Sequence, residues 1–231
     1  MKEINNTTTG IEINKITVNH TEAQLALAAL GKRWQQKVTA LREEIGHDMA
    51  KVVAAQPDGR IDFGAVCEFT YEPRWEPEGY TVYFRGIQVS ETGMPYFAGK
   101  SPDDDNIVSM FSLTNLFQFM KCVTMFGTLG VECSKKAAAV RDEILAELKE
   151  ELAQMENQKF EDIFEDWWFY QEDWTYEALD LLVLHLDSEG NLSGTFSDKK
   201  RNEIELPLTE FEADEIADRF AELDWTPGSD R

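Results

Sequence analysis

None of the short motifs that mark common chemistries occurs in these 231 residues: there is no GxGxxG, no Walker-type phosphate loop, no GxSxG, no HExxH and no CxxC. Dinucleotide binding, nucleotide hydrolysis on a P-loop, elbow-type hydrolysis and zinc-protease chemistry lose their usual sequence basis. The chain is read as non-enzymatic, with an enzyme built on an unrecognised carboxylate site as the third reading after the two binding ones below. Cysteine is scarce. Cys67, Cys122 and Cys133 make an odd number without paired spacing, which indicates neither a disulfide framework nor a zinc knuckle and fits reduced thiols in a cytoplasmic protein. The three histidines, His20, His47 and His185, share no ligand spacing, so no metal and no cofactor is expected.

Long apolar runs are missing too. The first ten residues are polar, so a secretory leader is not expected. The nearest approach to a membrane span, 107–131, is interrupted by Ser109, Ser112, Asn115, Gln118 and Lys121. A lysine at mid-span costs roughly 2.5–3.5 kcal/mol on insertion scales. That segment is read as a buried core helix, and no membrane association is expected.

The most uneven deficit is of basic residues. The chain holds 22 Lys and Arg against 44 Asp and Glu, a net charge of −22. Residues 1–141 account for only −2 of this, and residues 142–231, with 7 bases against 27 acids, for −20. Adaptation of the whole surface to salt would spread the acids, so the excess points to a local cause. A region this acidic repels phosphate, and no basic stripe compensates; direct nucleic-acid binding is not expected.

What the chain does contain is enough apolar material, 42% of residues, for a sizeable core. Periodicity divides it. Residues 1–20 form a polar arm in which 11–18 alternate like a short edge strand. Thr21 with Gln24 reads as a capping box opening a long helix with the stripe Leu27, Leu30, Trp34, Val38, Leu41, Ile45, Met49, Val52. Alternation at 61–71 and 80–89, followed by a shorter strand at 94–98, predicts an antiparallel meander. A helix is expected over 114–126 and another from Ser134, with Ala137, Val140, Ile144, Leu148, Leu152 and Met155 inward. Strands follow at 181–187, 192–197 and 204–206, then a helix opened by Thr209 and Glu212. No internal repeat is visible. The fold class is α+β: antiparallel sheets packed with long helices, ending in an acidic region of helices and hairpins. The division is 1–20 arm, 21–130 α+β core, and 131–231 acidic region, the last two readable as one continuous domain.

Residues 156–178 interleave eight carboxylates with eight aromatics. On a helical wheel Phe160, Phe164, Trp167, Tyr170 and Trp174 fall on one side and Glu161, Asp162, Glu165, Asp166, Glu172 and Asp173 on the other, with Phe169 and Tyr176 among the acids. The stripe of the preceding helix is out of phase with this one, so a break is expected at 156–159. Phe169 and Tyr176 have two readings: cover by the rest of the fold or a helix break before Phe169, or anchors of a partner-binding face. The partner surface expected from the second reading comprises Glu161, Asp162, Glu165, Asp166, Phe169, Glu172, Asp173 and Tyr176, joined by Asp214, Glu215, Asp218 and Glu222 of the last helix. Its partner would be a basic protein, one that handles nucleic acid, with the chain acting as a nucleic-acid mimic or an inhibitor of a host nuclease or defence system, as proteins of mobile elements and phages do. Duplex DNA carries one charge per ~1.7 Å, so mimicry requires the two acidic helices side by side. The alternative is an accessory subunit of a larger assembly docking through its aromatic helix; self-association is compatible with either.

Overall fold

The computed structural model describes residues 9–71, 80–99, 105–155, 168–171, 177–198 and 200–223. Among them are four α-helices and two four-stranded antiparallel sheets, the α+β architecture expected. They divide into two compact units, one built from Met1–Gln35 with Arg141–Arg231 and the other from Gln36–Val140.

Helix α1 spans Thr9–Ala54 and passes from the first unit into the second. It begins well before Thr21, so the expected strand at 11–18 is helical backbone instead. Its core stripe is the predicted one, with Leu27, Trp34, Val38, Ile45 and Met49 buried; Val53 takes the innermost position at its end in place of Val52. The second unit continues with strands β1 (Ile61–Tyr71), β2 (Tyr80–Val89), β3 (Pro95–Gly99) and β4 (Asn106–Ile107), paired in that order. A 3-10 turn (Val108–Met110) leads to α2 (Leu113–Cys122), whose N-terminus is capped by the Ser112 side chain accepting the Asn115 N–H. The core helix thus stops at Cys122, short of the expected 126, because Val123 turns to extended backbone before a second 3-10 turn. Phe84, Phe97, Phe111, Phe119 and Phe126 converge in this unit at ring separations of 4.4–6.1 Å. Aromatic pairs at such distances add about 0.5–1.5 kcal/mol each beyond burial of their area.

Helix α3 (Gly127–Gln154) starts seven residues ahead of Ser134 and passes from the second unit into the first. Ala137, Ile144, Leu148 and Leu152 are buried as their spacing predicts. The helix ends at Gln154; the break placed at 156–159 lies outside the described residues. Then come β5 (Trp168–Gln171), β6 (Glu177–Leu186), β7 (Leu192–Ser197) and β8 (Glu203–Pro207), again paired in order, a 3-10 turn (Leu208–Glu210) and α4 (Ala213–Glu222). Thr209 does not cap this helix. The N-cap is Glu212, whose backbone N–H donates to Glu215 Oε2 at 3.0 Å, so the box sits one turn later than its sequence pattern suggested.

These element orders show that the architecture is built twice, a repeat the sequence hides. A long helix, a four-stranded meander, a 3-10 turn and a short helix occur as α1–β1–β2–β3–β4–α2 and as α3–β5–β6–β7–β8–α4. The strand registers agree pair for pair. Phe84 faces Gly99, Gly86 faces Ala98, Ile87 faces Phe97, Gln88 faces Tyr96 and Val89 faces Pro95. In the second repeat the pairs are Leu181 with Phe196, Val183 with Thr195, Leu184 with Gly194, His185 with Ser193 and Leu186 with Leu192, each number larger by 97. The register slips at the same place in both, after Phe84 and after Leu181.

The connecting turns match as well. Ser90 N–H donates to Met94 O and Gly93 N–H to Ser90 O; Asp187 N–H donates to Asn191 O and Gly190 N–H to Asp187 O. The fourth residue of each turn has positive φ, 81° at Gly93 and 82° at Gly190, the conformation only glycine adopts without strain. After the sheets, Val108, Phe111, Leu113, Leu116 and Met120 are buried at the positions of Leu208, Phe211, Ala213, Ile216 and Phe220. Each short helix meets a glycine on the other repeat's long helix. An added Cβ at Gly31 of α1 would stand 2.1 Å from the Ala221 nitrogen of α4, and one at Gly130 of α3 would stand 3.2 Å from Met120 Cβ of α2.

Candidate partner-binding surface

Two copies of one architecture offer an internal control for charge. The first repeat, residues 9–122, has 11 Lys and Arg against 15 Asp and Glu, a net of −4. The second, residues 127–222, has 9 against 26, a net of −17. The same helices, registers and turns form with either load, so the acid excess is not a requirement of the fold.

Several acids of the second repeat do have structural work. Glu147 Oε2 accepts the indole N–H of the buried Trp34 at 2.8 Å and an Arg33 N–H at 3.3 Å. Leaving that indole unpaired would cost about 1–3 kcal/mol. Asp187 Oδ1 accepts backbone N–H groups of Glu189 and Asn191, both at 2.8 Å, while Oδ2 takes the Asn191 side-chain amide. Asp198 repeats this with Lys200 and Asn202 at 2.7–2.8 Å. The Asn191 hydrogen bonds hold the Asp187 carboxyl below the usual carboxylate range, and those of Asn202 do the same for Asp198.

The residues expected to form the partner surface fall into three groups. Glu161, Asp162, Glu165, Asp166, Glu172, Asp173 and Tyr176 lie outside the described residues. Phe169 is on β5, opposite Leu179 of β6, in a sheet and not on a helix. Here a run of four residues rich in aromatics, 168–171, takes the extended state that large rings favour, and a strand's period of two removes the wheel that had set Phe169 among the acids. The third group is on α4. Asp214 is 1% exposed, Glu215 is tied to the helix start, and Asp218 Oδ1 accepts from Gln35 Nε2 at 3.0 Å. Glu222 is exposed and accepts from Arg219 at 3.1 Å. The first of the two acidic segments that DNA mimicry would set side by side thus lies, apart from 168–171, outside the described residues, and α4 supplies the second.

Other acids, outside the set expected from the sequence, are open to a partner. Glu150 on α3, Glu189 in the β6–β7 turn, Glu203 at the start of β8 and Glu210 ahead of α4 are all exposed and form no ion pair among the described residues. Asp142 is exposed as well, 3.7 Å from Arg141. The signal available for Glu150 was its place opposite the buried stripe of α3.

The remaining groups are ordinary ones. His185 Nε2 lies 2.8 Å from Thr195 Oγ1 across two strands. Asp48, Glu44 and Lys136 form an ion cluster within the second unit, and burial pushes the nearby Cys133 thiol up to about 11. Among the described residues no group of three or more His, Cys, Asp or Glu is arranged to hold a metal ion, and no helix is long and apolar enough to cross a membrane. Comparison with protein-family models, with curated proteins and with solved structures finds no match.

Proposed function

We propose that this chain is a non-enzymatic binding protein whose second repeat engages a positively charged protein partner. The observation that carries this reading is the unequal charge of two equivalent halves, −4 against −17 on one architecture. Like charges crowded on a compact surface repel and destabilise it, so an excess the fold does not need is retained for another use. A basic partner is the use that its chemistry serves directly: long-range attraction speeds encounter and selects against acidic competitors. Exposed Glu150, Glu189, Glu203 and Glu210 are available for it without cost to internal hydrogen bonds. A basic partner of the nucleic-acid-handling kind fits this chemistry; the spacing of a DNA duplex is not part of the proposal.

The test is affinity capture from a lysate of the native host at 50 mM and 500 mM salt, run in parallel with a variant in which those four residues are glutamine. The expected result is a basic protein retained by the wild type at low salt, released at high salt and weakened in the variant. Equal retention by both proteins at both salts would reject the proposal and favour docking through apolar surface, the accessory-subunit reading.

A further inference from the structure

The same internal comparison that isolates the acids also isolates a basic site. In the second unit a hollow of about 490 Å³ opens over β1, β2 and β3, lined by two arginines, Arg60 and Arg85, one carboxylate, Asp62, and Gln88, Val66 and Ala98 among others. Its shape comes from a bulge. The β1–β2 register passes from Asp62 opposite Gly86 to Cys67 opposite Phe84, so residues 63–66 of β1 lie against Arg85 alone. Gly64 turns the bulge at φ 69°, with its N–H donated to Asp62 Oδ1 at 2.8 Å. Gly86 forms the floor. A Cβ there would stand 2.2 Å from the Ile61 carbonyl oxygen, so only glycine lets β1 approach this closely.

We infer that this hollow binds a small organic oxyanion, with Arg60 and Arg85 as its charge partners. In a chain with twice as many acids as bases, arginines find carboxylates easily: Arg33 pairs with Glu147, Arg141 with Asp142 and Arg219 with Glu222. Arg60 and Arg85 take no ion pair among the described residues, yet both face one concavity. Two guanidinium forks match the flat, divided charge of a carboxylate or phosphate. Gln88 adds a third donor. Its Oε1 is taken by the Tyr96 hydroxyl at 3.0 Å, which leaves the amide nitrogen as what it can offer. Val66 and Ala98 give the ligand's carbon body an apolar wall, and the volume falls in the range of about 300–1,000 Å³ usual for small-molecule sites.

The second repeat shows that the arginine and the glycine on β2 are not imposed by the pairing of β2 with β3. At the positions of Arg85 and Gly86 it has Leu182 and Val183, beside the same register slip. A guanidinium at the slip and a glycine floor are features of the first repeat only. This site is independent of the acidic surface proposed above, and either can fail without the other.

The test is an amide NMR titration of the full-length protein with inorganic phosphate and, separately, with succinate, on wild type, Arg85→Leu and Arg60→Gln. R85L installs the residue the second repeat tolerates at this place, so its thermal midpoint should match wild type. The expected result is saturable shifts at the amides of Gly64, Gly86 and Gly99, with affinity at least tenfold weaker in R85L. Saturation by phosphate alone assigns a phosphate ester, and by succinate alone a carboxylate. No saturable shift with either probe, or shifts that R85L and R60Q leave unchanged, would overturn the inference.

Discussion

Replacing Gly31 by alanine separates packing on the long helices from helix propensity. On an open helix surface Gly→Ala stabilises by roughly 0.5–1 kcal/mol, since alanine loses less backbone freedom. At Gly31 the new Cβ would stand 2.1 Å from the Ala221 nitrogen and 2.3 Å from the Phe220 carbonyl carbon. Backbone atoms cannot rotate aside, so the end of α4 must withdraw from α1. That withdrawal loosens Phe220, now 1% exposed and 5.4 Å from the Trp34 ring. Full loss of such a buried ring costs about 3–5 kcal/mol. Partial loss, less the propensity gain, leaves G31A destabilised by about 2–4 kcal/mol. The equivalent change at Gly130 meets Met120 Cβ at 3.2 Å, a contact relieved by a shift of a few tenths of an ångström, and its cost and gain nearly cancel, within about 1 kcal/mol of wild type. Urea unfolding followed by far-ultraviolet circular dichroism measures both. If G31A unfolds at the wild-type midpoint, or G130A loses as much as G31A, the packing of the short helices on these glycines is wrong.

Three further outcomes follow from single residues. Arg201 holds φ 63° at the fourth position of the β7–β8 turn, where the other two turns have glycine; Arg201→Gly should stabilise by about 0.5–1 kcal/mol in the same unfolding assay. Asp187 and Asp198 have folded carboxyls below their ordinary 3.8, so the stability they contribute is fully present above that pH and is lost as pH falls through their lower folded values. Acid unfolding monitored by circular dichroism should therefore be shallower below pH 3.8 in Asp198→Asn, which keeps an acceptor oxygen but cannot titrate. Iodoacetamide at pH 8 should label exposed Cys122 readily and leave Cys133 untouched until denaturant is added, because burial holds its thiol at about 11; mass spectrometry of the labelled peptides reads this directly.

Periodicity carried the sequence reading where one face of an element is buried along its whole length. The β1 and β2 spans and the stripes of α1 and α3 were legible for that reason. Helix starts were not. Thr21, Ser134 and Thr209 are good caps by residue type, but the helices at the first two begin earlier, while Glu212 caps the third. In the stretch of acids and aromatics the rings at 168–171 fit either a helix wheel or a strand; pairing with β6 decides for the strand, in line with the reading in which the helix breaks before Phe169.

The repeat escaped notice because it conserves burial and register, not residues. Phe97 and Gly99 on β3 become Gly194 and Phe196 on β7, so the large ring and the gap change places along one inward face. Arg85 becomes Leu182, and the turn beginning at Ser90 begins at Asp187 in the second copy. A two-residue exchange of volume preserves packing while erasing identity. The acid excess, by contrast, was plain in the sequence, but only the duplicated fold shows that the architecture can do without it.

That claim is tested most directly by urea unfolding of a variant with Glu150, Glu189, Glu203 and Glu210 all changed to glutamine. All four are exposed, and their side chains take no part in the ion pairs or hydrogen bonds that hold the described residues. Removing four negative charges from a repeat that carries −17 should leave the midpoint unchanged or raise it, and should reduce the stabilisation that wild type gains from added salt. A loss of more than about 1 kcal/mol, beyond what neutral surface substitutions cost, would mean that the fold depends on these charges and would contradict the account.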